Sequence, residues 1–237
     1  MKKITVILLL FASSIANSQG LTTFFTKTDA FLKKNVSNGK VDYQAIKNET
    51  TALNDVLEIA SKIDISKENT NATKAFWINA YNLTLIKAIV NKYPVKSPLD
   101  IAGLFDKVMY TVAGKKYTLN DVENKMIREK YNDARIHFVL VCGANGCPPI
   151  TNNAYLPDTL EEQLNKQAKI ALNNPNFIKV NTASKKVEVS QILEWYKNDF
   201  ISKGKNEIDF INQYRDTKID NKYKVSYYTY DWTLNKK

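Results

Sequence analysis

The sequence predicts an α+β fold: a single domain with a central mainly antiparallel sheet, a buried long helix and several surface helices. Three observations lead there. Residues 71–93 carry apolar side chains nearly all round a helical period, the pattern of an interior helix. The strand-like segments come mostly as hairpins and do not alternate with helices, which favours α+β over a βαβ order. The run Arg135-Ile-His-Phe-Val-Leu-Val141 has the β-branched and aromatic content of a fully buried strand, and supplies the centre of the sheet.

Met1-Lys2-Lys3, an apolar stretch from Ile4 to Ala12 and small polar residues through Ser18 are the three parts of a secretory signal peptide, residues 1–18. Residues 19–237 are then expected as one globular domain, exported to the periplasm or beyond. The apolar stretch is too short for a permanent transmembrane helix, and no cysteine follows the expected cut to carry a lipid.

Further elements follow in order. Thr22–Val36 reads as a helix with Phe24, Phe25, Phe31 and Leu32 on its apolar side, and Asn38-Gly39 is a turn. Thr51–Ile63 is amphipathic, with Leu53, Val56, Leu57 and Ala60 inward. The long helix starts at a cap among Asn69, Thr70 and Asn71 and must end before Pro94. Val108–Thr118 is a hairpin turning at Gly114, and Thr118 with Asp121 opens a helix to about Lys130. After Pro148-Pro149 come a surface helix over 157–172 and a hairpin of 177–180 with 186–189. Ser190 then caps a helix running through Trp195 and Phe200, and 207–215 and 225–230 are a last helix and strand.

Composition limits the function classes. The formal charge is +10, but the lysines are scattered without a dense basic block, which gives no support for a nucleic-acid partner. Thirteen tyrosines and average overall charge describe a globular chain. No Gly-rich phosphate loop and no nucleophile-elbow serine occurs, and no cofactor is called for.

The chemistry concentrates in Arg135–Ile150, which holds the only histidine, His137, and both cysteines, Cys142 and Cys147. Four readings stand side by side. The cysteines form a disulfide; Cys142 is a nucleophile with His137 as base; the thiols and imidazole are unreactive core groups; or His137-x4-Cys142-x4-Cys147 binds a metal, a spacing outside the tight zinc patterns, so no metal ligand is assigned. On a regular strand residues 137 and 142 face opposite sides, so the strand has to end before Cys142 for the two to meet. Asn79 and Asn82, three apart on the interior helix, either satisfy backbone of a neighbouring loop or orient a catalytic group. Glu123 and Arg128 lie on one helix at a spacing that makes no strong local pair.

Several motifs together resemble the family called domain of unknown function 547, in its secreted bacterial form. They are Ala75-Phe-Trp-Ile-Asn-Ala-Tyr-Asn82, Tyr117-Thr-Leu-Asn-Asp-Val-Glu123 with Arg128, Arg135-Ile-His-Phe-Val-Leu-Val-Cys-Gly-Ala144 with Cys147-Pro-Pro149, and Tyr230-Asp-Trp-Thr-Leu-Asn235. The likeness spans about 41–235. Members often have serine where this chain has Gly146, and plant members keep the first cysteine and lose the second, which makes Cys142 the better functional candidate. The resemblance maps its motif residues onto Asn79, Asn82, Glu123, Arg128, His137 and Cys142 and implies no activity.

Two functions are therefore expected. In the first, Cys142 attacks a peptide or cell-wall amide with His137 as base and Asn79 or Glu123 orienting the imidazole. Arg128 then holds an anionic part of the substrate, while Asn82 and Cys147 help line the site. In the second, the domain is a non-catalytic binding module for a small molecule, peptide or partner, with a structural Cys142–Cys147 disulfide. Thiol–disulfide exchange comes third.

Overall fold

The computed structural model describes residues 2–202, 204 and 206–237, with side chains from residue 19 onward. The expected signal peptide, residues 1–18, lies outside the residues described at side-chain level.

The fold is built around one helix. α4 (Thr70–Lys92) is capped by Asn69, whose side chain accepts from the Ala72 N–H, and is buried without a break from Ala72 to Ile86. An element apolar on every side finds its minimum only with neighbours all round. Those neighbours are the C-terminal half of α1 (Lys2–Asn35), α2 (Tyr43–Asn48) and α3 (Thr51–Lys62). Between α1 and α2, Asn38 and Gly39 both take positive φ and close a two-residue hairpin of β1 (Val36–Ser37) and β2 (Lys40–Val41). β3 (Tyr110–Val112) and β4 (Lys115–Tyr117) pair antiparallel around Ala113-Gly114, as the sequence predicts.

The α+β class holds, but the sheet is not central. The largest sheet has three strands, β5 (Ile178–Asn181), β6 (Lys186–Ser190) and β7 (Lys224–Tyr228), with β5 antiparallel and β7 parallel to β6. It belongs to the C-terminal part of the chain, and the interior helix takes the position expected of a sheet.

The run read as a central strand is not one. Ala134–Phe138 is a 3-10 turn, and Val139–Val141 continues as irregular backbone. The burial expected of the run is present, with Ile136–Val141 all buried, but an apolar run, even a β-branched and aromatic one, does not by itself say which backbone conformation is buried. What a neighbouring strand would have supplied comes from a side chain: Asn82 Nδ2 donates to the Val139 carbonyl (2.9 Å) and Asn82 Oδ1 accepts from the Val141 N–H (3.0 Å).

Two further helices depart from expectation. Thr118 and Asp121 form the predicted capping box, but α5 (Leu119–Asp121) runs into a π-helical segment, Val122–Arg128, before α6 (Glu129–Tyr131). The helix begun at Ser190 breaks at Tyr196 (φ −110°, ψ 27°) into α8 (Gln191–Trp195) and α9 (Lys197–Ile201). α7 (Leu160–Asn173) and α10 (Glu207–Tyr214) match their predicted ranges closely. The apolar interior falls into two clusters, one around α4 and one of Phe138, Phe177, Phe200, Phe210 and the three-stranded sheet. Successive residues of 136–141 divide between them, with Phe138 in the second and Ile136, Val139, Leu140 and Val141 in the first.

Candidate functional site

A cavity of about 270 Å³ opens where the two clusters meet, and Glu123, His137, Cys142 and Cys147 all line it. Loss of regular strand geometry removes the parity objection: with a 3-10 turn ending at Phe138, residues 137 and 142 reach the same cavity. The rest of the lining is mostly aromatic, with Tyr81, Tyr196 and Tyr230 presenting hydroxyls and Trp195 and Trp232 completing one wall.

Cys142 and Cys147 are joined in a disulfide. The loop they close is held from outside by the C-terminal segment: Asn145 and Gly146 donate backbone N–H groups to Thr233 and Asp231, and the Asn235 N–H donates to Gly143. Tyr230 lies over both sulfurs, 2.7 Å from Cys142 Sγ and donating to Cys147 Sγ at 2.9 Å. Gly143 takes φ +77° with Ile89 packed where a Cβ would project, and a Cβ at Gly146 would meet the Tyr230 ring at 2.9 Å. Any larger residue at 146, serine included, would need that ring to shift.

His137 is buried and its partner was not expected. Nε2 lies 2.7 Å from Asp199 Oδ2, and the ring stacks on Tyr196 with centroids 4.0 Å apart. The hydrogen bond from His137, against a smaller opposing effect of burial and with further help from Arg128, holds the Asp199 carboxyl well below the usual range. An ionised carboxylate only accepts, so the proton of this bond is on Nε2. The hydrogen-bond partner of the imidazole is thus Asp199, on α9, where Asn79 or Glu123 is expected.

Arg128 is engaged as well. Nε and Nη2 reach the two Asp199 oxygens at 2.8 and 3.1 Å, Nη1 binds Asn124, and the guanidinium lies over the Tyr196 ring. The fork-to-fork pair with Asp199 pushes its pKa up. Its donors serve Asp199 and Asn124 within the fold. Glu123 is buried, with Oε1 accepting from the Tyr196 hydroxyl at 2.6 Å and Oε2 at 3.4 Å from that of Tyr81. Burial, and then the neighbouring Glu123 charge, push both phenols up, so they remain donors. The π register explains why Glu123 and Arg128, five apart, both address Tyr196: i→i+5 winding brings that spacing onto one side.

The two asparagines support backbone. Asn82 ties residues 139 and 141 as described, and Asn79 does the same for Tyr155, donating to its carbonyl at 2.7 Å and accepting from its N–H at 3.0 Å. Neither makes a bond to the imidazole; of the two readings open for them, backbone satisfaction is the one their bonds express. Each is a positioning residue for a loop.

A second cavity, of about 390 Å³, borders Lys74, Asp133, Arg135 and Glu161, whose charges are paired with each other. Among the described residues no three His, Cys, Asp or Glu side chains are grouped as a metal site requires.

Sequence reasoning missed Asp199, Tyr196 and Trp195. Asp199 and Trp195 read as ordinary residues of the helix begun at Ser190, and nothing local marks a partner 62 positions away from Asp199. Tyr81, Tyr230 and Trp232 did carry a signal, since each lies inside one of the motifs quoted for the family resemblance.

The comparisons agree with that resemblance over part of the chain. No curated protein and no solved structure matches the sequence. Residues 65–170 match the model of a family described as "Protein of unknown function, DUF547", a span that contains Asn79, Asn82, Glu123, Arg128, His137, Cys142 and Cys147, whereas Tyr196, Asp199, Tyr230 and Trp232 lie beyond it.

Proposed function

We propose that the chain is an exported binding module whose aromatic cavity takes a small ligand, the Cys142–Cys147 disulfide bracing one wall. The observation that carries this reading is the bond between the two sulfurs inside the cavity, which leaves no thiolate to attack a substrate. Export is supported by the three-part pattern of residues 1–18 and fits a disulfide, which persists in oxidising compartments. Among the described residues no helix is long and apolar enough to cross a membrane. Trp195 and Trp232 report occupancy directly: intrinsic fluorescence is titrated with small polar and charged solutes, alongside iodoacetamide labelling read by mass. A binding module gives saturable fluorescence changes while no label is taken up without reductant. Labelling of both thiols in the untreated protein would overturn the reading.

One observation favours a second reading. His137 held by Asp199, with Cys142 on the same cavity, is the base–orienter–nucleophile order of a thiol hydrolase. It requires an external dithiol, which is oxidised to its disulfide as Cys142–Cys147 is reduced to two thiols. The imidazole nitrogen not held by Asp199 then takes the Cys142 proton, the sulfur bonds to the acyl carbon, and the amide C–N bond breaks with the proton passing to the leaving amine; water then cleaves the thioester, releasing the carboxylic acid and returning the Cys142 thiol. An electrophilic thiol probe at neutral pH decides it: after reduction the parent labels much faster than free cysteine, and Cys142→Ala loses that fast phase. Labelling of parent and variant at the same rate would reject it.

A further inference from the structure

We propose that the ligand of this cavity is a small organic cation, an alkylammonium held between the Glu123 carboxylate and the Tyr230–Trp195–Trp232 wall; this inference rests on the binding-module reading above. The first support is charge. In a chain with formal charge +10, the cavity lining holds one carboxylate and, among the described residues, no lysine or arginine. Glu123 is buried, and among the described residues no cation forms an ion pair with it; its two bonds come from neutral phenols, one of them long at 3.4 Å. A buried carboxylate is stable when paired, and two oxygens accepting one bond each retain capacity for a further donor. The nearest guanidinium, Arg128, has both edges committed to Asp199 and Asn124.

The second support is the aromatic wall of the same cavity. Trp195, Tyr230 and Trp232 are in mutual contact, with centroids 4.8–5.9 Å apart. Large aromatic rings that share a cavity with a carboxylate attract a cation through the ring quadrupole and through direct charge, and do neither for an anion. Trp195 is 47% exposed although it is a large aromatic, which puts it at the mouth, where an entering ligand would cover it. A volume of about 270 Å³ suits a head group and a short chain.

The test uses the full oxidised protein and three solutes of nearly one shape: choline, its neutral isostere 3,3-dimethyl-1-butanol and the anion 3,3-dimethylbutanoate. Binding is followed by tryptophan fluorescence and calorimetry at low salt. Choline is expected to bind at least about tenfold more tightly than the neutral isostere, with no saturable signal from the anion. Glu123→Gln, which keeps size and the acceptor for the short Tyr196 bond while giving up the long one from Tyr81, is expected to remove most of the preference for charge while binding of the neutral isostere persists, and Trp232→Ala to weaken choline binding with the carboxylate intact. If the neutral or anionic solute binds as well as choline, the cation assignment falls and the binding-module reading stands. If no solute of any charge binds, both fall.

Discussion

His137 Nε2 and Asp199 Oδ2 meet at 2.7 Å across 62 residues of chain, beside the Tyr196 and Phe200 rings on which the imidazole packs. The imidazole comes from a 3-10 turn that packs on α7 and the π-helical segment, and the carboxylate from α9. Arg128 shares the same carboxylate from the π-helical segment, so three elements depend on a single acid.

Asp199→Ala is expected to destabilise the domain by about 1–3 kcal/mol, because it leaves a buried imidazole and a partly buried guanidinium short of an acceptor. Urea unfolding followed by fluorescence measures this. Asp199→Asn retains one acceptor oxygen and recovers part of the loss. A variant as stable as the parent would mean that the shared carboxylate contributes nothing to holding the turn and the π-helical segment against α9.

The acid side of the stability profile follows from two aspartates. Asp199 is lowered by His137 and Arg128. At Asp133 burial pushes the carboxyl up, but hydrogen bonds from Arg135 and Lys74 outweigh it and leave the pKa well below the ordinary value. A carboxyl lowered in the folded state contributes fully above its unfolded value, about 3.9, and loses that contribution as pH falls further toward the folded value. Stability from these groups is therefore expected to be level from neutral pH to about 4 and to decline below it. Asp199→Asn and Asp133→Asn should each be less stable at pH 7 and show a shallower acid decline, read from urea midpoints at pH 7, 4 and 2.5.

Lys74 is a buried ammonium whose carboxylate partner is Asp133, at 2.5 Å. Removing that partner by Asp133→Ala leaves a buried charge uncompensated, at a cost of about 3–5 kcal/mol. The double variant Lys74→Met with Asp133→Ala is expected to recover much of this, since the uncompensated ammonium is gone. Additive losses in that cycle would count against the pairing.

Asn82→Ala strips partners from the Val139 carbonyl and the Val141 N–H together, and should cost about 2–4 kcal/mol. Asn79→Ala acts in the same way on Tyr155. Amide exchange separates the two: protection at Val141 falls only in the first variant and at Tyr155 only in the second.

Replacing both cysteines by alanine opens a short loop and is expected to lower stability by about 2 kcal/mol on chain-entropy grounds. Reduction of the parent should produce a similar drop, and alkylation after reduction should add two groups per chain. A loss well below that figure would show that the backbone bonds from Asp231, Thr233 and Asn235 hold the loop unaided.

Most helix boundaries were legible in the sequence because their causes are local. Asn69 before α4, the Thr118–Asp121 box and the Asn38-Gly39 and Ala113-Gly114 turns act over a few residues, and the structure has each in place. The all-round apolar period of 71–93 identified the interior helix for the same reason. The stretch 135–141 reads as strand on its apolar, β-branched and aromatic content, of which the structure bears out the burial and not the extended backbone. The choice between ladder and irregular backbone lay with Asn82, more than fifty residues upstream.

The sequence by itself determined the α+β class, the central helix, and the concentration of the only imidazole and both sulfurs in one segment. Those follow from composition and from forces that act between near neighbours. The tertiary structure decided what the segment faces: the disulfide, Asp199 as the partner of both His137 and Arg128, and an acid-and-aromatic cavity assembled from α4, the π-helical segment, α8 and the C-terminal strand's sequel. Each of these depends on side chains meeting across tens of residues, and such a meeting is set by how the whole interior packs, which no local pattern encodes.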